Sequence, residues 1–409
     1  MLIEFSISNF RSFRDRQTLS MVAAPRLRRK ENTFDPELPG EDFPALLKSV
    51  AIYGPNASGK SNLVQAFRVI TGLAGLVPQP TRQQLPVAPF RFDPALAKSP
   101  SRFELHFAFG GMRYQMTLAL TKERVEEESL CCFPKGSETL LYARKYTHGR
   151  DSYEFGDTLE GGQALHDAWS KLTAPDRLFL AQAVANSSEE LRQLRAPLSW
   201  LTMRLLIMAP GPPDPQRTLK SLSALMHMKG LDGTEAIREL TSFIHDLDIP
   251  VTRLRLDSEQ EGAADVRAVL THRTASGEAL FDFDDESTGT QNLIGFYLPW
   301  FVLQASKNEI GCSLVADELD TSLHPNIVAE LVRRHNLRGG LSQLIFTSHD
   351  THLMDTKLLR RDQIWLTERD ANGATQLRSV HDFEGRESED VEKRYYEGRY
   401  RGLPIVRKE

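Results

Sequence analysis

Cysteine is scarce in this sequence. Three occur in 409 residues: Cys131 and Cys132 are adjacent, and Cys312 sits in an apolar run. They build neither a disulfide framework nor a zinc-ligand spacing, which fits a reducing cytosol. Long hydrophobic runs are missing too. The longest apolar stretch, Leu293 to Ala305, falls short of the ~20 residues that a membrane helix needs. The first residues, MLIEFSISNFRSF, alternate apolar and polar like a strand and lack the pattern of a signal peptide. A cytoplasmic location is therefore expected. Positive charge is not in excess: 50 Lys and Arg stand against 55 Asp and Glu, for a net charge of −5. The chain as a whole has no basic signature for nucleic acid. Local clusters (Arg26, Arg28, Arg29 and Lys30; Arg333 and Arg334) read as solvated faces or loops. Sustained heptads are absent, because PGPPDP at 210–215 breaks the only long helical block. No internal repeat or low-complexity tract is evident.

What is present reads as an α/β chain of two or three structural units. SVAIYG, ending at Gly54, suits a buried strand, and SNLVQAFRVITGLAGL has helical apolar spacing at Leu63, Phe67 and Ile70. RFELHFAF and RYQMTLAL, separated by a glycine pair, read as a hairpin. The character changes at about 126. The reading places a mainly helical insertion over 126–268, between an N-terminal core part (1–125) and a C-terminal core part (269–409). In the latter, GCSLVADE, QLIFTSHD and DQIWLTER return as apolar strands with punctuated ends.

The densest chemistry lies in AIYGPNASGKSNLVQAF. Gly54-Pro55-Asn56-Ala57-Ser58-Gly59-Lys60-Ser61 matches the phosphate-loop pattern between a strand and a helix. Its glycines let backbone N–H groups curl around phosphate oxygens, Lys60 supplies charge, the Ser61 hydroxyl suits Mg²⁺, and the helix N-terminus adds its dipole. Asn62 follows in the helix. Such a loop alone does not separate a GTPase, a small-molecule kinase, a helicase or an ABC-type ATPase. SLVADE adds Asp317 at a strand end for Mg²⁺ and Glu318 for polarising an attacking water. ESTGTQNLIGF, LDTSLHP and LIFTSHD follow the same logic of polar turns at the ends of apolar elements.

In that order these motifs resemble the ABC ATPase superfamily, in its soluble branch related to SMC, RecF and OLD proteins. The resemblance implies a P-loop NTPase fold of ABC-head type with an antiparallel β subdomain, binding ATP and Mg²⁺. It makes Thr288, Gly289 and Gln291 the signature turn with Ser287 beside them, Asp320 the D-loop aspartate and His349 the switch residue that senses the γ-phosphate. Arg11, in NFRSF, resembles the arginine of the N-terminal Arg-Ser that lies near the nucleotide in SMC-like heads. The signature departs from Leu-Ser-Gly-Gly-Gln, reading Ser-Thr-Gly-Thr-Gln here. The Q-loop glutamine has three candidates: Gln79, Gln83 and Gln84. His349 and His352 form an H-x-x-H, read as a switch and a surface histidine because no acid-rich helix accompanies them.

NFRSF, YGPNASGKSNL, DELDTSLHP, TSHDTHLMD, RRDQIWLTERD and YYEGRYRGLP are similar to the RloA-like proteins and the AriA-like sensor of the PARIS system, compact ATPases of bacterial anti-phage defence. This resemblance implies composite ATP sites shared between copies, hence a homodimer or higher oligomer. It also implies a separately encoded effector, often a TOPRIM-type nuclease. No glutamate-glycine plus Asp-x-Asp constellation follows His349, so nuclease activity is expected of a partner. A RecF- or SMC-like repair ATPase acting on DNA is the alternative. A transporter subunit fits less well, since the stretch from Ser61 to Ser287 is too long. In the middle block Trp169 and Trp200 read as core or interface. The tail tyrosines Tyr395, Tyr396 and Tyr400, interleaved with Arg394, Arg399 and Arg401, suit docking on the protein's own core or on a partner better than base stacking.

Overall fold

The alternating residues Leu2–Ser8 form a strand inside a seven-stranded antiparallel sheet. Across the sheet the order is Arg150–Phe155, Thr139–Thr147, Val125–Cys132, Met112–Leu120, Ser101–Phe109, Leu2–Ser8, Gln17–Ser20. The computed structural model describes residues 1–76, 83–208, 214–227, 233–247, 249–257, 266–305, 311–387, 389–400 and 403. They divide into one unit of Met1–Ile207, Ser306–Asp317 and Val332–Glu409, and a second of Met208–Ala305 and Glu318–Leu331.

A second sheet has six strands, with Leu205–Met208 at one edge. Ser313–Ala316, Gln343–Thr347, Ser49–Tyr53 and Ile364–Arg369 lie side by side in that order and run parallel, and Thr375–Ser379 closes one edge antiparallel. Helix Lys60–Ala74 buries Leu63, Val64, Ala66, Phe67, Val69 and Ile70 in a core to which both sheets contribute. Phe67 meets Phe5 of the antiparallel sheet at 4.0 Å between ring centroids, and Val50, Ile52, Val315 and Ile345 line the core from the parallel sheet. A helix covered on so much of its circumference cannot shift without opening that core, so the loop at its N-terminus is held firmly. The α/β P-loop NTPase architecture with an antiparallel subdomain is the one the sequence implies.

The segment from 126, expected to be mainly helical, begins with strands that extend the antiparallel sheet; helices Gly162–Leu172 and Phe179–Ala185 come after them. Charged residues at inward positions hid the alternation. Glu128 is 1% exposed, accepting from Tyr142 Oη at 2.7 Å and from the backbone N–H groups of Phe179 and Leu180 at 2.7 and 3.0 Å. Burial raises its carboxyl pKa. Arg144, equally buried, reaches Asp151 at 3.1 Å. Buried charge survives only when partnered in this way. Trp169 and Trp200 are core residues, the latter stacked on Phe107 at 4.3 Å.

The parallel sheet is anchored to the last turn of helix Pro325–Leu337. Lys48 Nζ donates to the carbonyls of Asn336 and Arg338 at 2.9 and 2.8 Å, a cation on a helix C-terminus. His335 Nε2 lies 2.8 Å from the Lys48 carbonyl, which can only accept, so Nε2 carries the proton of the neutral ring. Burial lowers the His335 pKa to about 4. The unfolded chain, with an ordinary histidine, takes up a proton below pH ~6.5 that the folded protein refuses. Stability is therefore full above that value and falls by up to about 3 kcal/mol as pH drops toward 4. Urea midpoints between pH 7.5 and 4 should show this fall, and His335→Gln should flatten it.

In the second unit, helices Pro215–Met226, Gly233–His245 and Thr288–Ala305 pack on one another. Val251–Asp257, Arg267–Thr274 and Gly277–Asp282 form a three-stranded antiparallel sheet. Phe243 sits between Tyr297 and Trp300 at 5.5 and 6.1 Å. Among the described residues no helix is long and apolar enough to cross a membrane. Of PGPPDP, residues 210–213 lie outside the described residues, and Pro215 begins a helix.

Candidate nucleotide site

Strand Ser49–Tyr53 runs straight into the glycine loop, and helix Lys60–Ala74 leaves it. Ala57 (φ 62°) and Gly59 (φ 114°) adopt left-handed backbone conformations, which curl successive N–H groups to one side as an anion nest requires. A Cβ at Gly59 would collide with Thr375 Oγ1, so both conformation and space demand glycine there. Gly54, Ser58, Gly59 and Lys60 are buried, whereas Asn56, Ala57 and Ser61 are exposed at the rim. Lys60 Nζ donates to the carbonyls of Gly54 at 2.7 Å and Pro55 at 3.3 Å, which holds the ammonium across the loop. The Asn62 side chain turns back to donate to Ser12 Oγ at 2.8 Å.

Strand register brings the other polar ends to this loop. Ala316 pairs with Phe346 and Phe346 with Ala51, so Asp317 and Thr347 emerge beside the phosphate-loop strand. Polar groups gathered at the carboxyl ends of parallel strands are where open α/β sheets bind ligands. Asp317 Oδ1 accepts from Thr347 Oγ1 at 2.7 Å and from Ser61 Oγ at 3.3 Å. Its second oxygen, Oδ2, is buried without a hydrogen-bond partner. An orphaned carboxylate oxygen next to the P-loop serine is the donor set a hard divalent cation takes, so Ser61 and Asp317 fit Mg²⁺. His349 lies with Gly54, Pro55 and Asn56 in the wall of a cleft of about 1090 Å³, which Thr351, Arg369 and Tyr396 continue. Ser313, the polar residue of the Asp317 strand, is accounted for: its Oγ donates to Gln343 Oε1 at 2.9 Å.

The second unit carries Glu318 and the signature turn. Glu318 has φ 52°, a left-handed conformation that a non-glycine residue keeps only where its surroundings enforce it. Thr321 Oγ1 donates to its Oε2 at 3.2 Å. Ser287 caps helix Thr288–Ala305, accepting from the Thr290 N–H at 3.2 Å. Thr288 is exposed at the helix start, while Gln291 Nε2 donates to the Phe283 carbonyl at 2.9 Å. A Cβ on Gly289 would come within 2.8 Å of the Ser322 carbonyl, and Asn292 Nδ2 donates to Thr321 O at 3.1 Å. The signature turn therefore packs on the loop that holds Asp320.

In NFRSF it is Ser12, and not Arg11, whose side chain contacts the phosphate loop. Arg11 is exposed, its guanidinium 5.6 Å from the Phe10 ring. Thr347, Thr367 and Thr375 touch the site without a sequence signal, because single hydroxyls in strands carry no motif, whereas Ser12 lies in the turn of NFRSF beside Arg11. Of the glutamine candidates, Gln79 lies outside the described residues. Gln83 donates its backbone N–H to Asp176 at 2.9 Å, and Gln84 is exposed. His352 is a surface residue, 2.8 Å from Asp350, and this neighbour raises its pKa. Tyr395 and Tyr400 are buried and Tyr396 is exposed with its Oη 3.0 Å from Thr351 Oγ1. Arg401 lies outside the described residues.

The profile of the family described as "AAA domain, putative AbiEii toxin, Type IV TA system" matches residues 49–355, from the phosphate-loop strand to just beyond His349. The chain belongs to this AAA family. The matched span contains Lys60, Asp317, Glu318 and His349, and it assigns the chain to ATPases of AAA type. No curated protein matches it in sequence. Among solved structures it is similar to an SMC head bound to the C-terminal winged-helix domain of ScpA, at 13% identity and a TM-score of 0.45, covering 92% of this chain and 97% of that one. It is similar also to the SMC head domain from Thermotoga maritima, at 14% identity and a TM-score of 0.41, covering 92% and 98%.

Proposed function

We propose that the protein is an ATP-hydrolysing switch of ABC type, whose nucleotide-dependent pairing with a second copy controls a separately encoded effector in bacterial anti-phage defence. The observation that carries the ATPase reading is the Asp317 carboxylate: one oxygen fixed by Ser61 and Thr347, the other buried and free for a cation beside the phosphate loop. In this reading backbone N–H groups between Asn56 and Asn62 cradle the phosphates and Lys60 neutralises them. Bound Mg²⁺ would offset charge on the β- and γ-oxygens. Glu318 takes a proton from the attacking water and His349 holds the γ-phosphate end. Thr288, Gly289, Gln291 and Asp320 close over the loop of a partner copy, with Gln291 contributing through its backbone because its amide is already engaged. Loss of one phosphate then removes the contacts that hold two copies together.

The family description, which names the AbiEii toxin and a Type IV TA system, supports a defence role, and the RloA-like or AriA-like kind rests on the sequence motifs alone. The segment 126–268, inserted between core parts 1–125 and 269–409, is the region assigned to partner choice. A TOPRIM-type nuclease is the effector this reading expects, acting in the cytoplasm. The net charge of −5 weighs against the DNA-loading alternative. The test is a pull-down of the tagged protein, with ATP, from cells carrying its native gene neighbourhood. A neighbour-encoded protein in fixed ratio supports the proposal. Recovery of DNA alone, removable by nuclease without leaving a protein partner, transfers it to the repair reading.

A further inference from the structure

The phosphate loop is braced from behind by hydroxyls that come from both ends of the chain. Thr375 Oγ1 lies 2.7 Å from the Ser58 carbonyl and 2.8 Å from Ser12 Oγ, and it is fully buried. Ser12 Oγ already accepts from Asn62 Nδ2 at 2.8 Å. A hydroxyl has one proton to give, and a carbonyl can only accept. Among the described residues, Thr375 is the side-chain donor placed on Ser58 O, so its proton belongs there. A second brace holds the same residue by its side chain. Thr367 Oγ1 donates to Tyr53 O at 3.1 Å and so accepts from Ser58 Oγ, 2.6 Å away. Strand Ile364–Arg369 and its hairpin partner Thr375–Ser379 thus grip Ser58 at two points.

The peptide between Ser58 and Gly59 is planar and trans, so its C=O and N–H point in opposite directions. With the carbonyl drawn back to Thr375, the Gly59 N–H faces away from the hairpin. Gly59 is the residue whose left-handed backbone opens the helix. Without the Thr375 bond, a glycine peptide at this position is free to flip and turn an oxygen where a donor is needed.

We propose that Thr375 is a positioning residue for nucleotide binding: its hydroxyl orients the Ser58–Gly59 peptide so that the Gly59 N–H is presented to a phosphate oxygen. Thr367 assists by fixing the Ser58 side chain. Ser12 has a supporting place only, because its removal leaves the bond from Thr375 to Ser58 in being. The proposal rests on the reading of this loop as an ATP site.

The experiment measures ATP affinity by a fluorescent ATP analogue, together with thermal denaturation without nucleotide, for wild type, Thr375→Val, Thr375→Ser, Ser12→Ala and Lys60→Ala. Thr375→Val should weaken binding about tenfold, Thr375→Ser should bind within about twofold of wild type, and Ser12→Ala should fall between them. Should Thr375→Val prove unstable, the Thr375→Ser and Ser12→Ala pair still decides: Ser12→Ala binding more weakly than any loss of melting temperature accounts for, and as weakly as Lys60→Ala, would overturn the order. Unchanged affinity in folded Thr375→Val overturns the proposal outright, and so does a loss that serine does not rescue. A wild type that binds no nucleotide, indistinguishable from Lys60→Ala, refutes the ATP-site reading itself.

Discussion

Asparagine in place of Asp317 should cut Mg²⁺-dependent ATP hydrolysis by about a thousandfold or more, since a metal's charge stabilisation of a transition state amounts to several kcal/mol. The substitution is close to isosteric. Its amide oxygen can still accept from Thr347, 2.7 Å away in the native protein, so the strand ends keep their arrangement. What changes is the second oxygen, buried and unpartnered in Asp317. An amide nitrogen there presents hydrogens toward a cation and removes the negative charge. The thermal stability of Asp317→Asn should therefore stay near wild type or rise, because an uncompensated buried charge is gone. Thr347→Val leaves the carboxylate in place but unoriented, and a loss of about 10- to 100-fold in apparent Mg²⁺ affinity is expected of such an outer contact. Titrating Mg²⁺ against hydrolysis rate in both variants checks the pair. Wild-type Mg²⁺ dependence in Asp317→Asn would remove the metal from this carboxylate.

Glu318→Gln should separate binding from hydrolysis. The side chain keeps its shape and can still accept from Thr321 Oγ1, which lies 3.2 Å from Oε2. The left-handed backbone at φ 52° is no worse for glutamine than for glutamate. Only the capacity to take a proton is lost, which costs about 10²- to 10⁴-fold when a general base is removed. ATP affinity should survive, and ATP should hold the protein in its associated form for far longer than in wild type. Single-turnover kinetics and light scattering after size exclusion read the two consequences separately. Hydrolysis within about tenfold of wild type would move the base elsewhere. Slow hydrolysis without ATP-dependent association would leave Glu318 as the base and refute the paired arrangement.

Several parts of this protein were legible from residues alone, and for a shared reason. The phosphate loop is one contiguous strand, turn and helix, so its chemistry is written in consecutive letters. Asp317 follows its apolar strand directly and His349 follows its own after Ser348, so in both cases polar residues mark a strand's end in the sequence. The strands after 125 were hidden by the opposite circumstance. Glu128 and Arg144 stand at inward positions where alternation demands an apolar residue, and they are tolerated only because Tyr142, two backbone N–H groups and Asp151 satisfy them. No local pattern announces such a network.

The sequence by itself determined the nucleotide loop, the acid pair, the order of the motifs and the α/β class, all of which depend on neighbours a few positions apart. Tertiary structure decided what holds them in place. Ser12 and Thr375 are 363 positions apart and Ser58 and Thr367 are 309 apart, yet each pair shares a hydrogen bond against the same loop. A lone hydroxyl at such separation has no periodicity, no charge and no spacing to betray it. Its role exists only once parallel strand pairing carries the Thr375 hairpin to the flank of the strand that leads into Gly54.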